Sequence, residues 1–117
     1  MKNIVLFLGE DQLSINKRIK RIVNDAKIDE FNITTYDLEV DSLDQVISDC
    51  LTIPFIKDQK AVIVKNPVYL TKNGSKQDYS MYLNYLKKPM DSTMLLINAC
   101  GIMLDEKSPV VIDTKKY

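Results

Sequence analysis

Apolar positions along this chain switch between an unbroken, strand-like run and a helical period. Ile4-Val5-Leu6-Phe7-Leu8 is continuously apolar and ends at Gly9, the pattern of a strand buried on both faces. From Asp11 the period changes. Ile15, Ile19, Ile22, Val23 and Ala26 share one helical stripe, with Lys17, Arg18, Lys20 and Arg21 off it. Asp11 or Ser14 is the candidate cap of this first helix. Ile33 to Leu38 is short and β-rich, a second strand. Ser42-Leu43-Asp44-Gln45 has the form of a capping box, with Ser42 as cap and Gln45 reaching back. It opens a second helix whose core stripe is Leu43, Val46, Ile47, Cys50 and Leu51. Pro54 stops that helix, because its ring clashes with further turns. Ala61-Val62-Ile63-Val64 predicts a third strand, and Pro67 to Ser75 a loop with Asn73-Gly74 as its turn signal. Tyr79, Tyr82, Leu83 and Leu86 predict a third helix, closed by Lys87, Lys88 and Pro89. Met94 to Ile97 is a fourth strand, and Pro109 to Ile112 a short fifth one.

The alternation of strand and helix, with uniformly apolar strands, predicts an α/β fold. Its sheet is mostly parallel, of four to five strands, with helices on both faces. At 117 residues the chain suits a single domain, residues 1–117, with one core that needs no metal or disulfide staple. A hydrophobic content of 45% with 27% charged residues is ordinary for a globular domain and excludes a disordered tail. Sixteen basic and sixteen acidic residues cancel, so no global field draws the chain to nucleic acid or membrane, and only local patches remain. The chain has no His, which removes histidine bases, Ser-His-Asp triads and histidine metal ligands. Cys50 and Cys100 lie in apolar stretches without CxxC spacing and read as small hydrophobes. The apolar run at the N-terminus is too short for a signal peptide or for a spanning helix of about 20 residues. The expectation is a cytoplasmic protein with no membrane contact and no metal.

Ligands of parallel α/β sheets bind at the carboxyl ends of the strands. After the first strand the chain reads Gly9-Glu10-Asp11-Gln12-Leu13-Ser14-Ile15-Asn16. A phosphate loop requires GxxxxGK[ST], in which glycines let backbone N–H groups approach phosphate and Lys supplies charge. Only Gly9 matches. Ser14, Ile15 and Asn16 stand where Gly, Lys and Ser/Thr are needed, and Glu10 and Asp11 repel a triphosphate. A phospho-receiver needs an Asp at the end of the third strand, where the chain has Val64-Lys65-Asn66-Pro67. A dinucleotide site fails for want of GxGxxG. Asp29-Glu30, Glu39 with Asp41, and Asp105-Glu106 read as solvated loop charge. Lys17, Arg18, Lys20 and Arg21 are either the wet face of an amphipathic helix or a small patch for a partner or DNA phosphate. Tyr79, Tyr82 and Tyr85 read as helix-packing residues.

One stretch departs from this pattern. In Leu51-Thr52-Ile53-Pro54-Phe55-Ile56 the proline halts the helix while the apolar run continues, although a surface connection is ordinarily polar. Either Phe55 folds back on the core or it projects as an anchor for a partner.

Leu6-Phe7-Leu8-Gly9-Glu10-Asp11, Thr52-Ile53-Pro54-Phe55, Ala61-Val62-Ile63-Val64-Lys65-Asn66 and Lys88-Pro89-Met90-Asp91-Ser92-Thr93-Met94-Leu95-Leu96-Ile97 occur here in this order. Together they resemble the N-terminal domain of the delta subunit of the bacterial DNA polymerase III clamp loader. The resemblance implies an AAA+, phosphate-loop-like three-layer sandwich whose phosphate loop is degenerate. It implies no cofactor and no catalytic residue on this chain, which nonetheless resembles a subunit of a polymerase holoenzyme. By the same resemblance Phe55 with Pro54 is a wedge entering a pocket on the sliding clamp (the beta subunit), supported by Leu51 and Ile53. The wedge springs the clamp open for loading onto DNA, while other loader subunits hydrolyse nucleotide. The lid and collar domains of the family are absent from these residues. The helix that the family carries after its fourth strand has little room in Leu104 to Pro109, so the resemblance suggests an excised domain or a shortened member. The alternatives are a small nucleotide-binding domain or enzyme of phosphate-loop ancestry, and a receiver-like adaptor.

Overall fold

The computed structural model describes residues 3–53, 59–71 and 79–108, together with Val111 and Thr114. In chain order its main elements are β1 (Ile4–Gly9), α1 (Gln12–Asp25), β2 (Ile33–Asp37), α2 (Leu43–Cys50), β3 (Lys60–Lys65), α3 (Ser80–Lys87) and β4 (Thr93–Cys100). The described strands form one sheet in the order β1-β4-β3-β2, and every neighbouring pair is parallel.

Strand order dictates where the helices go. From β1 the chain crosses the whole sheet to β2, then steps back through β3 to β4. Parallel crossovers are right-handed, so the outward crossing and the two return steps put their helices on opposite faces. Side-chain packing agrees. Phe7, Ala61, Met94 and Leu96 pack with Ile15, Ile19 and Val23 of α1. Val62, Val64, Leu95 and Ile97 pack with Val46 and Ile47 of α2 and Tyr82 and Leu86 of α3. The result is the predicted three-layer α/β sandwich. β4 lies between two strands and under helices on both faces, which is why Thr93 to Ala99 are all buried. β2 is an edge and shows Thr34 and Thr35 to solvent.

The element boundaries hold with three differences. Val111, expected in a fifth strand, is helical, as is Thr114. Val111 enters the α2/α3 side of the core, and the Thr114 hydroxyl lies 2.6 Å from the Tyr82 hydroxyl. A spacing of three residues puts both on one helix face, and this packing overrides the β-propensity of a Val-Val-Ile run. Leu51, expected in the core stripe of α2, is instead its C-cap and is 48% exposed. The stretch after β3 is not a plain loop. Val68–Leu70 forms a 3-10 turn that buries Tyr69 and Leu70, with the Tyr69 ring edge-on to Tyr82 at 4.8 Å. The expected Asn73-Gly74 turn lies outside the described residues. Among the described residues no helix is long and apolar enough to cross a membrane.

Candidate functional site

The carboxyl ends of β1 and β4 form the point where the chain leaves the sheet toward opposite faces. β1 ends on a glycine and β4 is followed by one, both with positive φ, +139° at Gly9 and +68° at Gly101, a conformation that L side chains resist. The Gly101 N–H donates to the Gly9 carbonyl at 2.8 Å and ties the two exits together. A phosphate would be expected at the start of α1, where helix N–H groups point outward. That position is filled by the chain's own carboxylate. Asp11 caps α1, accepting from the Ser14 hydroxyl at 2.8 Å and the Ser14 N–H at 3.2 Å. These bonds, the hydroxyl's first, hold the Asp11 carboxyl below its usual range. The adjoining depression, of about 520 Å³, is lined by Glu10 and Glu106 and by no described cation. An anion here meets carboxylates in the cap and in the wall.

The second candidate region begins at the end of α2. Ser42 caps this helix reciprocally with Gln45: the Gln45 N–H donates to Ser42 Oγ at 3.2 Å, and the Ser42 N–H to Gln45 Oε1 at 3.0 Å. Val46, Ile47 and Cys50 are fully buried, so the helix is fixed at its start and along its face. Its far end carries the candidate binding residues outward, with Leu51 48% and Ile53 83% exposed. Pro54 and Phe55 lie outside the described residues.

Beside this exposed pair is a partly buried polar cluster built around one buried cation. Lys60, the first residue of β3, has a side chain only 7% exposed and pairs with Asp49 Oδ1 at 2.6 Å. Its ammonium also donates to the Asp49 carbonyl and to Thr52 Oγ1. The Tyr36 hydroxyl donates to the other Asp49 oxygen at 2.8 Å. Burial pushes the Asp49 carboxyl up, but hydrogen bonds from Lys60 and Tyr36 outweigh it and hold the group ionised below its ordinary value. Burial, followed by the bond to Asp49, pushes the Tyr36 phenol up to about 12.

Lys17, Arg18, Lys20 and Arg21 are all exposed. Arg18 and Arg21 border a groove with Val5 to Leu8 along the β1 edge of the sheet, whereas Lys17 and Lys20 do not. The predicted cluster is therefore divided between an edge groove and open solvent. Among the described residues no group of three or more His, Cys, Asp or Glu is arranged to hold a metal.

A family profile described as "DNA polymerase III, delta subunit" matches residues 5–116. The chain belongs to the DNA polymerase III delta subunit family. The DNA polymerase III subunit delta of Bacillus subtilis (strain 168) is 36% identical over 104 residues, covering 86% of this chain and 30% of that protein. Among solved structures, the Bacillus subtilis DNA clamp loader delta protein matches with a TM-score of 0.86 and 30% identity, over 99% of this chain and 36% of that one. The chain thus spans about a third of the length of these delta proteins.

In this delta-family chain the sequence left open whether the stretch after α2 packs on the core or projects, and Leu51 and Ile53 project. The cluster between α2 and β3 was not apparent from the sequence. Asp49 reads as a polar residue on a helix and Lys60 as a charge flanking an apolar run. Only their approach across the fold makes them an ion pair with Lys60 buried. The one signal available was that Lys60 directly precedes a strand buried on both faces, a position already inside the sheet.

Proposed function

We propose that this chain is the part of a clamp-loader delta subunit that grips the sliding clamp, acting at DNA replication in the cytoplasm. One observation carries the reading: in a delta-family chain, a capped and well-packed helix ends by turning Leu51 and Ile53 to solvent instead of into the core. Large aliphatic side chains gain about 1.5–3 kcal/mol each on burial, so an exposed pair continuing into Pro54-Phe55 suits an apolar pocket on another protein. In this reading Phe55 with Pro54 is the wedge, and Leu51 and Ile53 flank it. Their insertion loosens one interface of the beta-subunit ring, which opens for loading onto DNA.

The work is done by binding. The Asp11 cap and the acidic lining beside Gly9 disfavour a nucleotide at the switch point, so nucleotide hydrolysis falls to other loader subunits. Assembly of the loader rests with the lid and collar domains of the family. The exposed basic face of α1 (Lys17, Arg18, Lys20 and Arg21) is the surface suited to DNA phosphate or to a neighbouring subunit.

Replacing Phe55 by Ala tests the wedge. Central aromatic anchors cost at least about 2 kcal/mol when truncated, so affinity for the sliding clamp of the same organism should fall roughly thirtyfold or more in surface plasmon resonance. An unchanged affinity would remove the wedge assignment.

A further inference from the structure

Lysine is almost never buried unless its charge is paired, and an unpaired ammonium in the interior is strongly disfavoured. Lys60 is buried and fully satisfied. An ammonium has three N–H donors, and here they reach Asp49 Oδ1, the Asp49 carbonyl and Thr52 Oγ1. All three acceptors belong to the last turn and exit of α2, where helix carbonyls lack intrahelical partners and the dipole favours a cation. The rest of the exit is tied down as well. Thr52 Oγ1 donates to the Asp49 carbonyl at 2.7 Å, and Thr93 Oγ1 donates to the Cys50 carbonyl at 2.9 Å.

The place of Lys60 in the chain gives this network a further consequence. Thr52 and Lys60 bound the connection 53–59, so the Lys60–Thr52 bond joins the two ends of the segment that leads from Ile53 through Phe55 to β3. An apolar anchor held on a fixed base loses less conformational freedom on binding than one on a loose base, and affinity rises accordingly.

We propose that Lys60, with Asp49 and Tyr36, is a positioning latch that fixes both ends of the clamp-binding connection and presets Leu51 and Ile53 for their partner. This rests on the clamp-binding reading above. The latch touches no partner itself and acts through the residues it holds.

The test uses the intact subunit on immobilised sliding clamp, comparing Lys60→Met, Tyr36→Phe and Phe55→Ala, with site-resolved amide exchange of the free proteins. Lys60→Met should weaken binding roughly three- to tenfold, and Tyr36→Phe should weaken it less. In Lys60→Met the amides of Leu51 and Thr52, bonded to the Ile47 and Asp49 carbonyls at 3.1 and 3.0 Å, should exchange faster while β4 stays protected. Added to Phe55→Ala, Lys60→Met should cause little further loss. Parent-like binding by folded Lys60→Met, with Phe55→Ala impaired, overturns the latch alone. Faster exchange throughout the sheet overturns it too, by reducing Lys60 to a general stabiliser. If Lys60→Met does not fold, Tyr36→Phe decides by the same readouts. Parent-like binding by Phe55→Ala removes the clamp-binding reading and the latch with it.

Discussion

Cys50, the last residue of α2, faces the core with no exposed surface, and burial pushes its thiol up to about 12. Cys100, at the end of β4, is only partly buried. Because the thiolate is the reactive form, the two cysteines should separate kinetically. Under native conditions a thiol reagent at mildly alkaline pH should modify Cys100 first and reach Cys50 only as fast as the protein opens. In denaturant both should react together, and equal native rates would contradict the burial assigned to Cys50. Cys50 was legible as a small hydrophobe because it sits on the apolar stripe of a helix. Lys60 was not, because its environment comes from residues 8 and 11 positions away in the chain and from Tyr36 on another strand.

At the scale of elements, α1 carries a phosphate-loop position without phosphate-loop chemistry. The missing glycine, lysine and hydroxyl were readable from Ser14, Ile15 and Asn16 alone. The fold adds that Asp11 occupies the helix start and that Glu106, distant in sequence, joins Glu10 in the wall. Titration calorimetry with ATP and Mg²⁺ should therefore register no binding, and a measurable affinity would revive the nucleotide-binding alternative. The segment after β4 is the opposite case. Pro109 to Ile112 has the composition of a strand, yet Val111 and Thr114 are helical because packing on Tyr82 and the α2/α3 core decides between two states of similar local preference.

For the whole molecule, the central strands serve two cores at once. Leu96 faces α1 and Ile97 faces α2 and α3, yet they are adjacent on one strand and both fully buried. Truncating either should cost about 2–5 kcal/mol. Because the layers share β4, Leu96→Ala and Ile97→Ala should each lower the same single transition in denaturant unfolding. Separate transitions for the two faces would show that the layers fold independently.

The sequence by itself determined β1 to β4, α1 to α3 and their alternation, since unbroken apolar runs, helical stripes and a capping box are local patterns. It also determined that the loop after β1 lacks the groups that hold phosphate. The tertiary structure decided the β1-β4-β3-β2 order and the face each helix takes, which depend on crossover handedness and not on any single segment. It also decided the helical state of Val111 and the burial of Lys60 against Asp49, because each comes from residues that meet only when distant parts of the chain are brought together.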